Sequence, residues 1–158
     1  MQVEVARWRP SGARELPEAV SRDCGIAHVR RLARACTNMN PELELVFARL
    51  REILRKHSSR LSVTEDTPTR YCLEGGTHPA NKKPMPIAWV QVGKGYVSFH
   101  HMGVYGCPKL RDGLSAELKA RMQGKSCFNF KKPDEILFKE LEQLTADGFL
   151  AFRKAGYL

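Results

Sequence analysis

The sequence predicts an α+β domain in which helices pack on one face of a mainly antiparallel sheet. Amphipathic helical patterns stand near both ends of residues 41–155, and short β-rich segments lie between them. Strand, helix and strand do not alternate regularly, which argues against a doubly wound parallel sheet. A length of 158 residues suits one domain with a buried core.

The first helix is predicted over residues 41–57. Asn40 suits the N-cap and Pro41 the first helical position. The apolar residues follow the spacing of one buried helix face, and they are Leu43, Val46, Phe47, Leu50, Ile53 and Leu54.

Strands are predicted over residues 61–65, 70–73, 87–92, 96–102 and 127–130. Two of them, 87–92 and 96–102, flank the turn Gly93-Lys94-Gly95 and are expected to form a β-hairpin. The stretch 75–86 is rich in Gly and Pro and is expected to be a loop.

Two further helices are predicted beyond the hairpin. The first runs over 115–122, with Ser115 as its cap and Gly124 at its end, and the second over 134–155, opened by Pro133. Gly148 is expected to kink the last helix, and residues 108–113 to form a turn or a short helical segment.

The chain divides by composition near Met39. All basic residues in 1–38 are Arg, whereas Lys outnumbers Arg after Asn40. We expect residues 1–38 to be an Arg-rich N-terminal extension, either disordered or a non-native start, with a nucleic-acid-binding arm as a further option. Residues 39–158 are expected to form the single α+β domain.

Composition and charge limit the location and the partners. No apolar run approaches the length of a membrane span and no signal peptide precedes the domain, so we expect a cytoplasmic protein with no membrane partner. Five Cys without a C-x-x-C pair argue against disulfides and a zinc knuckle. The net charge of +9 favours polyanions, so weak nucleic-acid binding is one interpretation and a solvated basic surface is the other.

No catalytic motif is complete, so no catalytic residue is assigned. Gly124-Lys125-Ser126 lacks the earlier glycine and the strand-to-helix context of a P-loop. A nucleophile pair of His100 with Cys107 or Cys127 is conceivable, but the sequence does not establish contact between them.

The adjacent residues His100 and His101 suggest a metal site, but neighbours on a strand point to opposite faces. One of them is able to join a soft-metal site with a second ligand from among His78, Cys72, Cys107 and Cys127. No ligand spacing supports that site, so a hydrogen-bonded structural histidine is favoured, no metal ligand is assigned and the cofactor is unknown.

A cluster of aromatic and polar residues on and beside the hairpin resembles the lining of a small-molecule pocket. An ordinary, partly exposed sheet face explains the same pattern equally well. The candidate ligand-binding residues are Trp89, Tyr96, Ser98, His100, Tyr105 and Lys125.

Four segments carry a family resemblance: VTEDTP at 63–68, GYVSFH at 95–100, VY at 104–105 and RMQGKSCFNF at 121–130. Together with the first helix, they make the chain after Met39 similar to a branch of the YdhG-like bacterial domains of unknown function. The resemblance implies an α+β fold distantly related to frataxin-like and YjbR-like proteins. A relative in the wider family implies a role as a frataxin-like intracellular iron chaperone, whereas the first helix of this chain lacks an acidic ridge.

The sequence therefore favours a non-enzymatic binding or accessory domain for a small, anionic ligand or a protein partner. Metal handling, with iron by family analogy, is the alternative, and weak nucleic-acid binding is the second alternative.

Overall fold

Residues 39–77 and 83–158 are described by the computed structural model, and they belong to the unit Thr37–Leu158. The predictions for residues 1–38 and for His78 lie outside these ranges. The described chain has an α+β fold built on a six-stranded antiparallel sheet, as the sequence predicts.

The helices and strands of the described residues follow one another in a simple order. The strands are β1 (Ser62–Asp66), β2 (Arg70–Thr77), β3 (Pro84–Val92), β4 (Val97–His101), β5 (Met122–Gln123) and β6 (Cys127–Phe130). The helices are α1 (Pro41–Arg55), α2 (Met102–Gly106), α3 (Lys109–Asp112), α4 (Ala116–Lys119) and α5 (Glu135–Lys154), with a 3₁₀ turn at Ser58–Arg60.

The sheet has the strand order β1-β2-β3-β4-β6-β5, and every neighbouring pair is antiparallel. Strands β1 to β4 form a meander of sequential neighbours. Strand β6 then pairs with β4 although three short helices and β5 separate them in the chain. This non-local pairing brings residues near position 128 beside the hairpin.

The hydrophobic core lies between one face of the sheet and the helices. Val90, Phe99 and Phe128 align across β3, β4 and β6 and are fully buried. Helix α1 packs against β3 and β4, and α5 packs against α1 and α2. Because side chains alternate along a strand, the residues between these core positions lie on the other face.

Helix α1 begins where the sequence predicts. The side chain of Asn40 accepts a hydrogen bond of 2.9 Å from the backbone N–H of Glu42, and Pro41 occupies the first turn. The apolar stripe is buried at all six predicted positions. Helix α5 shows a small difference, since Asp134 caps it and Pro133 precedes the cap.

Two predictions of secondary structure are wrong, and one helix was not predicted. Much of the expected loop 75–86 is sheet, because β2 extends to Thr77 and β3 begins at Pro84. The helix expected over 115–122 stops at Lys119, and Gly124 instead has a φ of 73° in the turn between β5 and β6. The sequence analysis also missed α2, which begins directly after β4.

Helix α2 packs against α5 at a pair of glycines. A Cβ added to Gly103 would overlap the carbonyl oxygen of Gly148, and one added to Gly148 would lie 2.7 Å from Cε1 of His101. Helix α5 continues through Gly148 to Lys154. The glycines therefore permit close backbone approach beside the buried histidine.

Candidate functional site

The sheet face opposite the core carries a row of aligned side chains that crosses all six strands. In spatial order from β1 to β5 the aligned residues are Glu65, Cys72, Trp89, His100, Cys127 and Gln123. Trp89, His100 and Cys127 are half-buried at the centre of this row. The sequence thus places an indole, an imidazole and a thiol on three neighbouring strands.

A second row runs beside the first and is made of hydrogen-bonding side chains. Its residues are Arg70, Gln91, Ser98 and Asn129, from β2, β3, β4 and β6. The guanidinium of Arg70 donates to Oε1 of Gln91 at 2.9 Å and forms an ion pair with Glu65. We call the two rows together the polar sheet face.

A chain of contacts links the side chains at the centre of the polar sheet face. The rings of Trp89 and His100 stack with centroids 4.5 Å apart and planes 11° from parallel. Nε2 of His100 lies 3.4 Å from Sγ of Cys127, and Sγ lies 3.5 Å from Oδ1 of Asn129. The amide of Asn129 then donates to Oε1 of Gln123 at 2.8 Å.

Both the thiol and the imidazole are held in their neutral forms. Burial, followed by the nearby charge of Arg70, lowers the pKa of His100. Burial raises the pKa of Cys127, against a smaller opposing effect of the hydrogen bond from Ser98. A neutral thiol beside a neutral imidazole differs from the thiolate–imidazolium pair of an activated cysteine nucleophile.

Tyr105 of α2 and Lys125 of the turn between β5 and β6 form a second pair of side chains. Nζ of Lys125 lies 5.7 Å from the centroid of the exposed Tyr105 ring, within the range of a cation–π interaction. Lys125 lies two residues before Cys127, in the turn that enters β6. The carbonyl oxygen of Lys125 accepts a hydrogen bond of 3.4 Å from Arg111.

The six predicted site residues are thus distributed over three places. Trp89, Ser98 and His100 lie together on the polar sheet face, and Tyr105 and Lys125 form their own pair. Tyr96 lies in the β3–β4 turn, where a Cβ added to Gly93 would meet its ring at 3.0 Å. Sequence reasoning missed Arg70 and Asn129. For Asn129 the available signal was the alternation of Cys127 and Asn129 with two buried Phe residues along β6.

His101 has a structural role on the core side of β4. Its Nδ1 accepts a hydrogen bond of 2.9 Å from the N–H of Gly103, and Nε2 lies 3.1 Å from the carbonyl oxygen of Thr145. These partners fix the neutral tautomer with the proton on Nε2. Complete burial lowers the pKa of His101 to about 4, so this side chain remains neutral near pH 7.

The described residues contain neither a preformed metal cluster nor a helix that could span a membrane. Among residues 39–77 and 83–158, no three His, Cys, Asp or Glu side chains converge on a position for a metal ion. In the same residues, no helix is both long and apolar enough to cross a bilayer.

No protein-family model matches this chain, and comparison with curated proteins and with solved structures finds no significant match. The resemblance to YdhG-like domains therefore stays a prediction from the sequence.

Proposed function

We propose that this chain is a non-enzymatic binding domain that holds a small anionic ligand on its polar sheet face. The observation that carries the proposal is the alignment of Trp89, His100 and Cys127 beside the second row of hydrogen-bonding residues. An indole, an imidazole and a thiol, all half-buried, thus lie side by side on three neighbouring strands at the centre of this face.

Unused donors on this face favour a ligand rich in acceptor atoms. Among the described residues, the indole N–H of Trp89 is not one of the buried donors that lack a partner, so it is open to solvent and able to donate to a bound ligand. Within residues 39–77 and 83–158, the amide nitrogen of Gln91 has no partner, and only its Oε1 is bonded, to Arg70. Carboxylate or phosphate oxygens are suitable acceptors for both donors.

The charges near the face also favour an anion. Arg70 is paired with Glu65, whereas the described contact of Lys125 is with a neutral ring, so the charge of Lys125 is available to an anion. Because His100 is neutral, it supplies a hydrogen-bonding nitrogen and no net charge near pH 7. The pair of Tyr105 and Lys125 would then hold the charged group at the margin of the site.

Single-tryptophan fluorescence tests this proposal with inorganic phosphate and citrate as probes. The chain has two tryptophans, so Trp8→Phe leaves Trp89 as the only reporter. We expect at least one probe to change the emission of Trp89 in a saturable manner. Lys125→Gln is expected to weaken binding severalfold, and Lys94→Gln, in the β3–β4 turn, to leave it unchanged.

The binding proposal is contradicted if neither probe changes the emission of Trp89 at millimolar concentration. It is also contradicted if Lys94→Gln and Lys125→Gln weaken binding equally. Equal losses would indicate non-specific attraction to a basic protein, which is the behaviour expected of weak nucleic-acid binding.

The contact between His100 and Cys127 favours soft-metal handling as a second candidate. Imidazole nitrogen and thiolate sulfur are suitable ligands for zinc or copper(I), and 3.4 Å is a compatible separation for two ligands of one ion. With two strong ligands the site is incomplete, so waters, Asn129 or another molecule would have to fill the coordination sphere. The iron-chaperone analogy would instead require clustered oxygen ligands.

Cobalt(II) titration of the full chain separates the metal candidates. Binding at the pair predicts a thiolate-to-cobalt absorption band that disappears in Cys127→Ser and His100→Gln and persists in Cys107→Ser. A band that persists in Cys127→Ser, or no band at all, removes the pair as a metal site. Anaerobic iron(II) calorimetry tests the iron analogy separately, and no heat beyond dilution would remove it.

A further inference from the structure

A cleft on the helical side of the domain is separate from the polar sheet face. It has a volume of about 560 Å³ and lies where α1, the 3₁₀ turn and the last turns of α5 meet. This volume is within the range of small-molecule sites. The lining residues used below are Lys56, His57, Arg60, Leu61, Phe149 and Arg153.

The inner part of the cleft is apolar and aromatic. Phe149 is buried and the ring of His57 packs on it, with centroids 4.7 Å apart. Leu61 and Leu158 are partly buried and pack against the same core. The cleft therefore offers an apolar surface to the body of a ligand.

The rim of the cleft is basic. Lys56 pairs with Glu142 at 2.5 Å, so its charge is largely compensated. Arg60 and Arg153 are exposed and have no carboxylate partner among the described residues. Within the described chain, two arginines without a carboxylate partner thus line a cleft whose surface is partly apolar and partly polar.

Helix dipoles provide a simpler explanation of some of these cations. Basic residues in the last turns of α1 and α5 stabilise helix ends that each carry about half a negative charge. Two free arginines exceed that combined charge, and Arg60 lies in the 3₁₀ turn rather than in either α-helix. The dipoles also do not explain a cleft of ligand size.

We propose that this cleft binds a small amphipathic anion, in which a carboxylate, phosphate or sulfonate is attached to an aromatic or aliphatic body. Arg60 and Arg153 pair with the anionic group, and Phe149 and Leu61 contact the apolar body. The proposal does not depend on the function of the polar sheet face.

Fluorescence of anilinonaphthalene sulfonate with the full chain tests the proposal, because this probe combines an aromatic body with a sulfonate. We expect saturable binding with one molecule per chain, displaced by phenyl phosphate and much less by inorganic phosphate. In the double variant Arg60→Gln/Arg153→Gln, the Kd should rise about tenfold, as the loss of two exposed ion pairs implies. Both arginines are exposed, so the variant should fold normally.

The matched control is Lys94→Gln/Lys109→Gln, which removes the same charge from exposed residues outside the cleft. Its Kd is expected to stay within about twofold of the original value, since only distant charges change. Equal weakening in both double variants would overturn the proposal, and so would a stoichiometry above one.

The imidazole resonances of His57 locate the bound probe. Burial lowers the pKa of His57 in the free protein, and the anionic group of a ligand bound in the cleft should raise that pKa. Phenyl phosphate should therefore shift the pH titration of His57 upward and leave that of His100 unchanged. An unchanged His57 with a shifted His100 would place the ligand on the polar sheet face and refute the cleft assignment.

Discussion

Acid should destabilise this domain through His101 before its carboxylates titrate. The folded state holds His101 with a pKa of about 4, against the ordinary value of 6.5 expected in the unfolded chain. Burial is the main cause, and the N–H of Gly103 already points at the nitrogen that would have to accept the proton. Protonation at Nδ1 would break this hydrogen bond and leave a buried charge.

The sign and the size of the effect follow from proton linkage. Since the folded pKa is depressed, the unfolded chain binds protons first, and stability present above pH 6.5 is lost as the pH falls towards 4. The predicted loss between pH 7 and pH 5 is about 2 kcal/mol, and it approaches about 3 kcal/mol at pH 4. The loss is complete once the pH lies below the folded pKa.

Urea unfolding at several pH values between 7 and 5 measures this contribution. His101→Asn retains an acceptor for Gly103 but has no titratable ring, so its stability should depend less on pH by about 2 kcal/mol over this range. Parallel pH dependence in the two proteins would refute the reasoning. If His101→Asn does not fold, titration of the His101 imidazole in the original protein replaces this comparison. A measured pKa near 6.5 would contradict the assigned effect of burial on His101.

Three further predictions follow from particular contacts. Gly103→Ala should lower the free energy of unfolding by about 2 kcal/mol or more, because its Cβ would overlap α5; Gly113→Ala, which meets no neighbour, should change it by under about 0.5 kcal/mol. Titration of the His100 imidazole should give a pKa below the ordinary value, and Arg70→Gln should raise that pKa by removing a nearby positive charge. A lower His100 pKa in Arg70→Gln would contradict the assigned effect of the Arg70 charge. The alkylation rate of Cys127 should rise with pH along a curve with a midpoint above the ordinary thiol pKa, and a midpoint below it would disprove the assigned burial effect.

Local sequence patterns were sufficient to predict the longest elements. The stripe of α1 and its Asn40 cap are determined by residues within a few positions of one another. The hairpin of β3 and β4 has a short turn and alternating side chains, so its pairing was also predictable. The edges of these elements were less certain, as the extension of β2 and β3 across 75–77 and 84–86 shows.

The centre of the site depends on contacts that local patterns do not contain. Cys127 meets His100 only because β6 pairs with β4 across an intervening run of short helices. The sequence offered Cys107 and Cys127 as equal partners for His100, and tertiary pairing selected Cys127. Helix α2 escaped detection because its five residues, two of them Gly, depend on the cap from His101 and on packing against α5.

Amide ¹H–¹⁵N spectra of the full chain, recorded during titration with citrate, test the central claim most directly. The account predicts saturable shifts centred on Trp89, Gln91, His100 and the turn at Lys125, which would place an anion on the polar sheet face. Shifts confined to the cleft at Arg60 and Arg153, or no shifts at all, would contradict that claim.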